Sequence, residues 1–429
     1  MTEKSMLIYI AATVLTVLLC LWLYPGKQTD ESGRICNPDK KENYRMKMII
    51  SCVIAMLPLF LVMGCRWNVG VDTWHTYTPD YLAMKSESVP LSGEEEELFL
   101  KSVQVKNRLY GYTKEAARNF PLEGAYKEHR TTYHHTAPGF QMLEKILIFI
   151  HADVQWLYIV TSLIIMGFVF ASIWQQSTRP ALACLFFVIT ANFFLAMNIV
   201  SQYMAIAVCL FACTYAEKRK PFLFFLLVAM AATFHISALV FIPVYFLPKL
   251  RIKPIWCIAV IAVSLLVDRF AFPLILRLME DMPKYAHYLS RDTAEFEWVF
   301  FAIGCAVFAL GTYYYPKAKD LPWFRLWYYM NVLGLMALAF SGHIPLMKRI
   351  NYYFAAPHFL LIPLLLNLEE RPFLRKALHV VTISLFCAMI AVAIGKMNKH
   401  ATLPYQAFFQ KDRAEVLDEY IDHLPGMWD

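Results

Sequence analysis

The sequence predicts an all-α polytopic membrane protein with about twelve transmembrane segments. Of its 429 residues, 59% are hydrophobic and 15% are aromatic. The mean hydropathy is +0.45, and apolar runs near the ~20 residues that a spanning helix needs recur along the chain. A soluble protein of this length would hardly contain so many such runs.

Each apolar run is taken as one span, and the first is retained because no small-residue cleavage site follows it. The spans are 6–24, 46–64, 154–174, 180–197, 199–215, 222–234, 235–247, 254–270, 298–315, 326–340, 346–366 and 377–394.

The segment 222–247 is the part around which the other spans are arranged. It is apolar almost throughout, apart from His235, and Lys and Arg clusters stand at both ends. Loops rich in Lys and Arg stay on the cytoplasmic side, so both ends belong there. The segment must then enter and return, as two short helices that meet near His235. The imidazole would lie beside a water-filled cavity, since lipid would not solvate it.

The distribution of charge sets the orientation of the other spans. With the N-terminus outside, the inside loops are 25–45, 175–179, 216–221, 248–253, 316–325 and 367–376. These loops hold nearly half of the 40 Lys and Arg residues in about 60 residues, the bias that the positive-inside rule expects.

The predicted domain organisation has two parts. Residues 1–395 form the transmembrane domain, with a long extracytoplasmic loop at 65–139 and a re-entrant or interfacial helix at 140–151. Within that loop, Ser92 and Glu95 match a capping box at the start of a surface helix. Residues 396–429 form an extracytoplasmic amphipathic segment, interpreted as a lid.

Composition also limits the partners and cofactors. The net charge is +7, but no basic run is interleaved with aromatic residues, so nucleic acid is a poor candidate and anionic membrane lipid a better one. The ten cysteines are scattered without a CxxC motif, which favours neither a zinc site nor a disulfide framework. His129, His134 and His135 lack an acidic ligand at metal spacing, so we expect no metal and no cofactor.

Several polar residues fall at the predicted outer ends of spans, in otherwise apolar surroundings. Ionisable groups there are costly and usually face a cavity or a partner, so we expect one shared extracytoplasmic cavity. The residues are Arg66, Asn68, Asp72, Asn198, Gln202, His235, His343, Lys348 and Arg349.

Each of the four strongest candidates has a structural alternative. Arg66 offers a bidentate clamp for phosphate, or an interfacial anchor. Asp72 is a candidate general base, or a turn residue at a loop start. His235 is a base or hydrogen-bond donor, or caps a broken helix. Arg349, four residues before Tyr353 on one helical face, binds a second phosphate or anchors the topology with Lys348.

These residues occur in segments that together resemble the EpsG family of exopolysaccharide polymerases, relatives of the Wzy-type polymerases. The resemblance covers roughly residues 46–366. The matching pieces are 66–73 (RWNVGVDT) with Tyr77, 138–140 (PGF) with Leu143, 198–202 (NIVSQ) with Ala205, 234–239 (FHISAL) with Pro243, and Arg349 with Tyr353.

The resemblance implies a fold and a reaction. The fold would be like that of GT-C glycosyltransferases and O-antigen ligases. The reaction would polymerise oligosaccharide repeat units on undecaprenyl pyrophosphate, without a metal, at the outer face of the bacterial cytoplasmic membrane. Membrane lipids, a flippase and a chain-length regulator are further candidate partners.

The resemblance also suggests roles for the residues. Arg66 and Arg349 would stabilise the pyrophosphate leaving group, and Asp72 or His235 would take the acceptor proton, a choice that stays open. Asn198 and Gln202 would hold sugar hydroxyls, and Trp67, Trp74 and Tyr77 could stack on sugar faces. Further substrate-binding candidates are Gly70, Thr73, His343, Lys348 and Tyr353.

Two positions depart from the family pattern, and two other functions compete with polymerisation. Ser201 stands where the family has Arg, and Ala137 stands where it has an acidic residue. Arg66, Arg349 or Lys348 would replace that arginine, or the activity is altered or absent. A flippase for lipid-linked sugars fits the interrupted 222–247 segment, although neither a second broken helix in a corresponding position nor sequence symmetry is evident. A membrane acyltransferase fits a histidine in an apolar span, but His235 lacks an acidic neighbour in sequence.

Overall fold

The computed structural model describes residues 2–24, 28–29, 35–36, 42–67, 69–109, 114–129, 137–271, 296–344, 346–398, 402–410 and 412–423. Helix dominates these residues, which include a strand pair formed by β1 (Gln28–Thr29) and β2 (Ile35–Cys36). Asn68, His134 and His135 lie outside the described residues.

The first half of the chain begins with two long helices and continues through shorter ones. Its helices are α1 (Thr2–Leu23), α2 (Glu42–Gly64), a π-helical turn (Thr73–Tyr77), α3 (Thr78–Ser88), α4 (Gly93–Leu109), α5 (Lys114–Arg118), α6 (Leu122–His129), α7 (Pro138–Phe149), α8 (Gln155–Gln176), α9 (Pro180–Ile189), α10 (Asn192–Asn198) and α11 (Val200–Glu217).

The second half is also helical, and three of its helices begin at a proline, whose fixed φ suits the first turn. The elements are α12 (Pro221–Phe234), a 3-10 helix (Ile236–Lys249), α13 (Pro254–Leu266) with a π-helical end (Val267–Ala271), α14 (Trp298–Tyr313), α15 (Tyr315–Ala318), α16 (Phe324–Ala339), α17 (Leu346–Ala355), α18 (His358–Leu366), α19 (Pro372–Ile390) with a π-helical end (Ala391–Lys396), and α20 (Arg413–His423).

Helix α11 forms the centre of the bundle. It packs against α8, α12 and the 3-10 helix, and its alanines at 205, 207, 212 and 216 are fully buried. Small side chains let helix backbones approach closely, which is how helices associate within a membrane. By contrast, α1 exposes Leu7, Leu21 and Trp22, as expected of a helix that faces lipid.

Within the described residues, six helices are long and apolar enough to cross a bilayer, and counting the bent α9–α10 pair as one span gives seven. The six are Ser5–Leu23, Met46–Gly64, Gln155–Gln176, Val200–Glu217, Pro254–Ala271 and Pro372–Lys396. Shorter apolar helices, α12, the 3-10 helix and α14, accompany them. The structure therefore supports a membrane protein, while the count of twelve spans and the GT-C-like fold stay predictions.

The break expected near His235 is present. Helix α12 ends at Phe234, His235 adopts an extended conformation (φ −156°, ψ 119°), and the 3-10 helix begins at Ile236. Pro243 and Pro248 lie within that second piece and each removes a backbone donor, which disfavours a regular α-helix. Its 14 residues extend about 28 Å at the ~2.0 Å rise of a 3-10 helix, so it reaches farther than an α-helix of equal length.

The described residues contain broken helices besides the one at His235. Helices α9 and α10 meet at 57°, at Ala191 with its positive φ of 63°. The predicted span 346–366 is also divided, into α17 and α18, at Ala356 and Pro357. A proline disfavours helical geometry at the preceding residue, which ends α17 there. Broken helices are therefore not confined to the segment 222–247.

Three of the loops assigned to the inside are in contact with one another. The Tyr315 hydroxyl donates to the backbone carbonyl of Ile252 over 3.0 Å, and Lys317 forms an ion pair with Glu370 at 2.9 Å. These contacts join the loops 248–253, 316–325 and 367–376, as the charge distribution predicts.

Helix α8 separates the two ends of the bundle. The ring of Trp174, near its C-terminus, lies 5.9 Å from that of Tyr24, which precedes the loop 25–45. At its N-terminus, the Gln155 amide donates to the carbonyl of Gly64, next to the loop that begins at Cys65. The helix has 22 residues, so these ends are about 33 Å apart at 1.5 Å per residue.

Helix α7 matches the helix expected at 140–151. It has 12 residues, too few to span a bilayer, and it exposes Met142, Ile146 and Phe149 while burying Glu144. A short helix with an exposed apolar face is typical of a segment that lies in the membrane interface.

The capping box at the start of α4 is confirmed. The Glu95 amide donates to the Ser92 hydroxyl over 3.3 Å, and the Ser92 amide donates to the Glu95 carboxylate over 3.0 Å. Leu98, Phe99 and Val103 are buried, so α4 is packed more tightly than a surface helix would be.

Helix α20 covers α4 with the apolar face expected of an amphipathic segment. Its buried residues include Val416, Leu417 and Ile421. Arg413 at its start forms ion pairs with Asp153 at 2.7 Å and with Glu94 at 2.8 Å. The C-terminal segment is therefore attached to the end of the bundle that carries Arg66.

Candidate functional site

Gly70 brings the loop after α2 against the turn between α10 and α11. Its φ is +93°, and a β-carbon added there would lie 2.7 Å from the Met197 carbonyl oxygen. Only glycine combines that backbone conformation with so close an approach. The backbone amide of Asp72 consequently reaches the side-chain oxygen of Asn198, at 3.3 Å.

Arg66 lies beneath this loop and is 1% exposed. Its guanidinium donates to the Met63 carbonyl, to the Ser162 hydroxyl at 3.1 Å and to the Met197 carbonyl at 3.4 Å. It also lies 5.2 Å from the centre of the Tyr158 ring. These contacts join α2, α8 and α10. Arg66 is therefore a buried residue that stabilises the packing of these helices, and it does not face an open cavity.

Ser201, which stands where the family has arginine, is held by Tyr77. The Ser201 amide donates to the Tyr77 hydroxyl over 3.0 Å, and that hydroxyl lies 3.4 Å from the Ser201 hydroxyl. Tyr77 is buried, whereas Ser201 is half-buried. The segments 66–77 and 198–202, separate in sequence, thus form one surface.

Gln202 connects this surface to α17. Its side-chain amide donates to the backbone carbonyl of Arg349 over 2.8 Å. The Arg349 side chain is exposed, while Asp72, Asn198 and His235 are half-buried. Arg349 is therefore the cation of this group that water or a ligand can reach.

The charge of Arg349 acts on both candidate bases, the Asp72 carboxyl and the His235 imidazole. Burial raises the pKa of Asp72 to about 6, and the nearby Arg349 opposes that rise. Asp72 is then mostly ionised at pH 7, as a general base must be.

His235 is positioned by two hydroxyl groups. Its Nδ1 lies 2.6 Å from the Ser237 hydroxyl, which lies 3.0 Å from the Tyr353 hydroxyl. Tyr353 is 1% exposed, so its main contact with the site is through Ser237. Ser237 is close to His235 in the sequence, but the sequence does not show that the Ser237 hydroxyl orients the His235 imidazole.

The 138–140 segment packs beside the same residues. A β-carbon on Gly139 would collide with Thr233, two residues before His235, and the Phe140 ring lies 5.3 Å from that of Tyr77. The segments that carry the family resemblance therefore meet at one end of the bundle.

His343 and Lys348 form a second group close to Arg349 in sequence. His343 Nδ1 lies 2.8 Å from a carboxylate oxygen of Asp268, and Lys348 pairs with Glu297. Asp268 lies in the π-helical end of α13 and Glu297 directly precedes α14, and neither was among the expected site residues. Lys348 is thus neutralised locally, which makes it a weaker candidate than Arg349 for binding phosphate.

The expected sugar-stacking role of the tryptophans is not supported by their burial. Trp67 and Trp74 are 1% and 2% exposed. Arg413 covers Trp67, with its guanidinium carbon 5.3 Å from the ring centre. Thr73 is also buried, and its hydroxyl donates to the Val69 carbonyl over 2.8 Å. These side chains shape the loop that carries Asp72.

Glu144 is an acidic residue that sequence reasoning did not include in the site. It is 1% exposed, and neither carboxyl oxygen has a hydrogen-bond partner among the described residues. Burial raises its pKa to about 8, and Asp80 adds to the rise. The signal available in the sequence was a carboxylate within a mainly apolar helix, next to Lys145. Ala137, where the family has an acidic residue, directly precedes the same helix.

No three His, Cys, Asp or Glu side chains of the described ranges converge to hold a metal ion. The site thus consists of Arg349, Asp72, His235 and Asn198 at the surface, with Arg66, Gln202 and Tyr353 behind them.

Comparison with protein families identifies the same family that the sequence motifs resemble. The model of the EpsG family matches residues 49–407. No curated protein and no solved structure matches the chain. The match covers most of the 429 residues, including every segment of the site. The chain therefore belongs to the EpsG family, a family of Wzy-type exopolysaccharide polymerases.

Proposed function

We propose that this protein polymerises oligosaccharide repeat units carried on undecaprenyl pyrophosphate, by glycosyl transfer at the outer face of the bacterial cytoplasmic membrane. The observation that carries the proposal is the exposed Arg349, whose charge acts on Asp72 and His235. An accessible cation beside two candidate bases is what a transfer with a pyrophosphate leaving group needs.

In the proposed reaction, a hydroxyl of one lipid-linked unit attacks the anomeric carbon of the growing glycan. A carbon–oxygen bond to that hydroxyl forms, and the bond between the anomeric carbon and the pyrophosphate oxygen breaks. The hydroxyl proton passes to Asp72 or His235. Undecaprenyl pyrophosphate leaves with the bonding electrons, and Arg349 stabilises its charge through paired N–H donors.

Asp72 and His235 remain alternative bases. Asp72 has a pKa of about 6, so its ionised form is available at pH 7. His235 is aligned by Ser237 at 2.6 Å, which suits an imidazole that accepts a proton through its other nitrogen. Substitution of each in turn distinguishes them, because the true base removes the acid limb of the pH–rate profile.

Arg349 takes the role of the arginine that the family pattern places at 201. Gln202, the next residue after position 201, donates to the backbone carbonyl of Arg349 over 2.8 Å, which supports this exchange because it brings Arg349 close to that position. Arg66 acts as a positioning residue, because its guanidinium is occupied by Ser162 and backbone carbonyls. Asn198 is half-buried next to Asp72 and is available to hold a sugar hydroxyl.

The test is complementation of a strain that lacks this protein. Arg349→Gln and Asp72→Asn should abolish long polymer and leave single lipid-linked units outside the cell membrane. The control is Arg251→Gln, since Arg251 is also exposed but lies in a loop at the opposite end of the bundle. Full-length polymer from the Arg349 variant, at normal protein level, would refute the proposal.

A flippase for lipid-linked oligosaccharides is the second candidate. Interrupted helices at α9–α10, α12 and α17–α18 favour it, because many transporters bind their substrates at broken helices. In that case the Arg349 and Asp72 variants would leave the single repeat units on the inner leaflet.

A further inference from the structure

A cavity of about 210 Å³ lies at the end of the bundle opposite to Arg349. It is lined by residues from the end of α8, the start of α16 and the middle of α18, including Gln176, Arg179, Trp323 and Trp327. The charge distribution assigns the loops 175–179 and 316–325 to the cytoplasmic side. The mechanism proposed above uses none of these residues.

The cavity wall contains one hydrogen-bond acceptor and one donor that lack partners. Gln176 Oε1 and Trp327 Nε1 are both buried without a hydrogen bond among the described residues. The side-chain nitrogen of Gln176 is already bonded to the Leu210 carbonyl at 2.7 Å and to Thr214 at 3.2 Å, which fixes the oxygen. Burying unpaired groups is costly. A hydroxyl has the matching chemistry, because it can donate to an amide oxygen such as that of Gln176 and accept from an N–H such as that of Trp327.

The aromatic part of the wall is preformed. The rings of Trp323 and Trp327 are stacked, with centroids 5.8 Å apart and an interplanar angle of 17°. Trp323 has a positive φ of 70°, a costly backbone conformation for a bulky residue that is found mainly at functional sites.

Arg179 connects this cavity to a basic surface depression of about 420 Å³. Arg375, Lys376 and His379 also line the depression. In the described part of the chain, neither Arg179, Arg375 nor Lys376 forms an ion pair with a carboxylate, whereas the neighbouring Arg371 is paired with Glu369 at 2.9 Å. The three cations are therefore available to an anion.

The two cavities together match one kind of ligand. Arg179 follows the end of α8, a membrane-spanning candidate, so the cations lie at the height of lipid headgroups. Basic pockets between spanning helices on the cytoplasmic side bind anionic lipid headgroups. We propose that this place binds a phosphate-bearing headgroup with a free hydroxyl: Arg179, Arg375 and Lys376 contact the phosphate, and Gln176 and Trp327 hold the hydroxyl.

The test measures how lipid raises the thermal unfolding temperature of the full chain in detergent. Dioleoyl phosphatidylglycerol, which has a phosphate and free hydroxyls, should stabilise the protein in a saturable way. Dioleoyl phosphatidic acid, which lacks the headgroup hydroxyls, should bind more weakly, and phosphatidylcholine should have no specific effect. Glycerol 3-phosphate carries the same chemistry in soluble form. If glycerol 3-phosphate stabilises the protein as well as the lipid does, the site still recognises a phosphate and a hydroxyl, and its natural ligand is a free polyol phosphate.

Two variants separate a binding site from a packing feature. Arg179→Gln should weaken phosphatidylglycerol binding about tenfold, the equivalent of one charge-assisted hydrogen bond. Trp327→Phe keeps an aromatic ring but removes the N–H, so it should abolish the preference for phosphatidylglycerol over phosphatidic acid. The smaller ring should also lower the unfolding temperature without lipid, so each variant's stabilisation by lipid is measured relative to its own lipid-free unfolding temperature. The control is Lys319→Gln, an exposed cation at the same end outside both cavities.

The proposal is overturned if the three lipids stabilise the protein equally, as expected if the cavity holds only water. It is also overturned if both variants bind phosphatidylglycerol as tightly as the wild type does.

Discussion

The side-chain amide of Gln202 donates a hydrogen bond to the backbone carbonyl of Arg349 over 2.8 Å. These residues are 147 positions apart in the chain, on α11 and α17. The bond fixes the start of the exposed Arg349 side chain against the turn that carries Asn198. A buried amide therefore determines where the accessible cation lies.

Replacing Arg349 should change the acidity of Asp72. Burial raises the pKa of Asp72 to about 6, and the positive charge of Arg349 lowers it. In Arg349→Gln that lowering is lost, so the pKa rises further and the acid limb of residual activity, scaled to its own maximum, moves to higher pH. Arg349→Lys retains the charge and should leave the limb near pH 6. An unmoved limb in both variants would show that Arg349 does not act on the base.

An arginine restored at position 201 should partly compensate for the loss of Arg349. Ser201 is half-buried beside Tyr77, on the surface that Gln202 joins to Arg349. The double variant Arg349→Ala with Ser201→Arg should recover longer polymer than Arg349→Ala alone, as measured by gel analysis of the glycan. The comparison is made with Arg349→Ala carrying Ser201→Lys, which supplies charge without the bidentate fork. Equal polymer length in all three strains would show that an arginine at position 201 cannot replace Arg349.

Adding a methyl group at Gly70 should disrupt the site. The β-carbon would lie 2.7 Å from the Met197 carbonyl oxygen at a backbone φ of +93°, and both the clash and the strain are unfavourable, by at least about 1–3 kcal/mol. Gly70→Ala should lower the unfolding temperature and abolish polymer. Gly93→Ala is the matched control, because open space surrounds that position and alanine favours helix. If the two variants are equally stable, the packing of Gly70 against Met197 is not as described.

Glu144 should make stability depend on pH. Its pKa in the folded protein is about 8, above the ordinary value of 4.5, so the folded state keeps a proton that the unfolded state releases. Stability therefore falls as pH rises from about 4.5 to about 8. Glu144→Gln cannot ionise, and its unfolding temperature should exceed that of the wild type more at pH 8 than at pH 5. The exposed Glu123→Gln serves as the control. If the difference in unfolding temperature between Glu144→Gln and the wild type is the same at pH 5 and pH 8, Glu144 is not buried in its protonated form.

The sequence allowed much of the site to be predicted, because polar residues at the ends of apolar runs are conspicuous. Asp72, Asn198, His235 and Arg349 were identified in this way and lie near one another. The sequence did not predict which arginine is accessible to a ligand and which one stabilises the packing. Both are arginines beside apolar spans, but Arg66 is buried and Arg349 is exposed. Exposure depends on packing between distant helices, which one sequence does not report.

The helix interruptions show a similar limit. The break at His235 was predictable from the basic clusters on both sides of a short apolar segment. The bend at Ala191 arises from a positive φ at an ordinary alanine, which carries no distinctive composition. Pro357 was visible in the sequence, but a proline alone does not distinguish a kinked span from a divided one.

The most direct test of the central claim is to identify the lipid-linked glycans in cells whose only copy of this protein carries Arg349→Gln. Mass spectrometry gives the number of repeat units on each lipid, and accessibility to an added membrane-impermeant glycosidase gives the leaflet. The account predicts single repeat units on the outer leaflet and no long polymer. Long polymer at wild-type level, or single units confined to the inner leaflet, would contradict it.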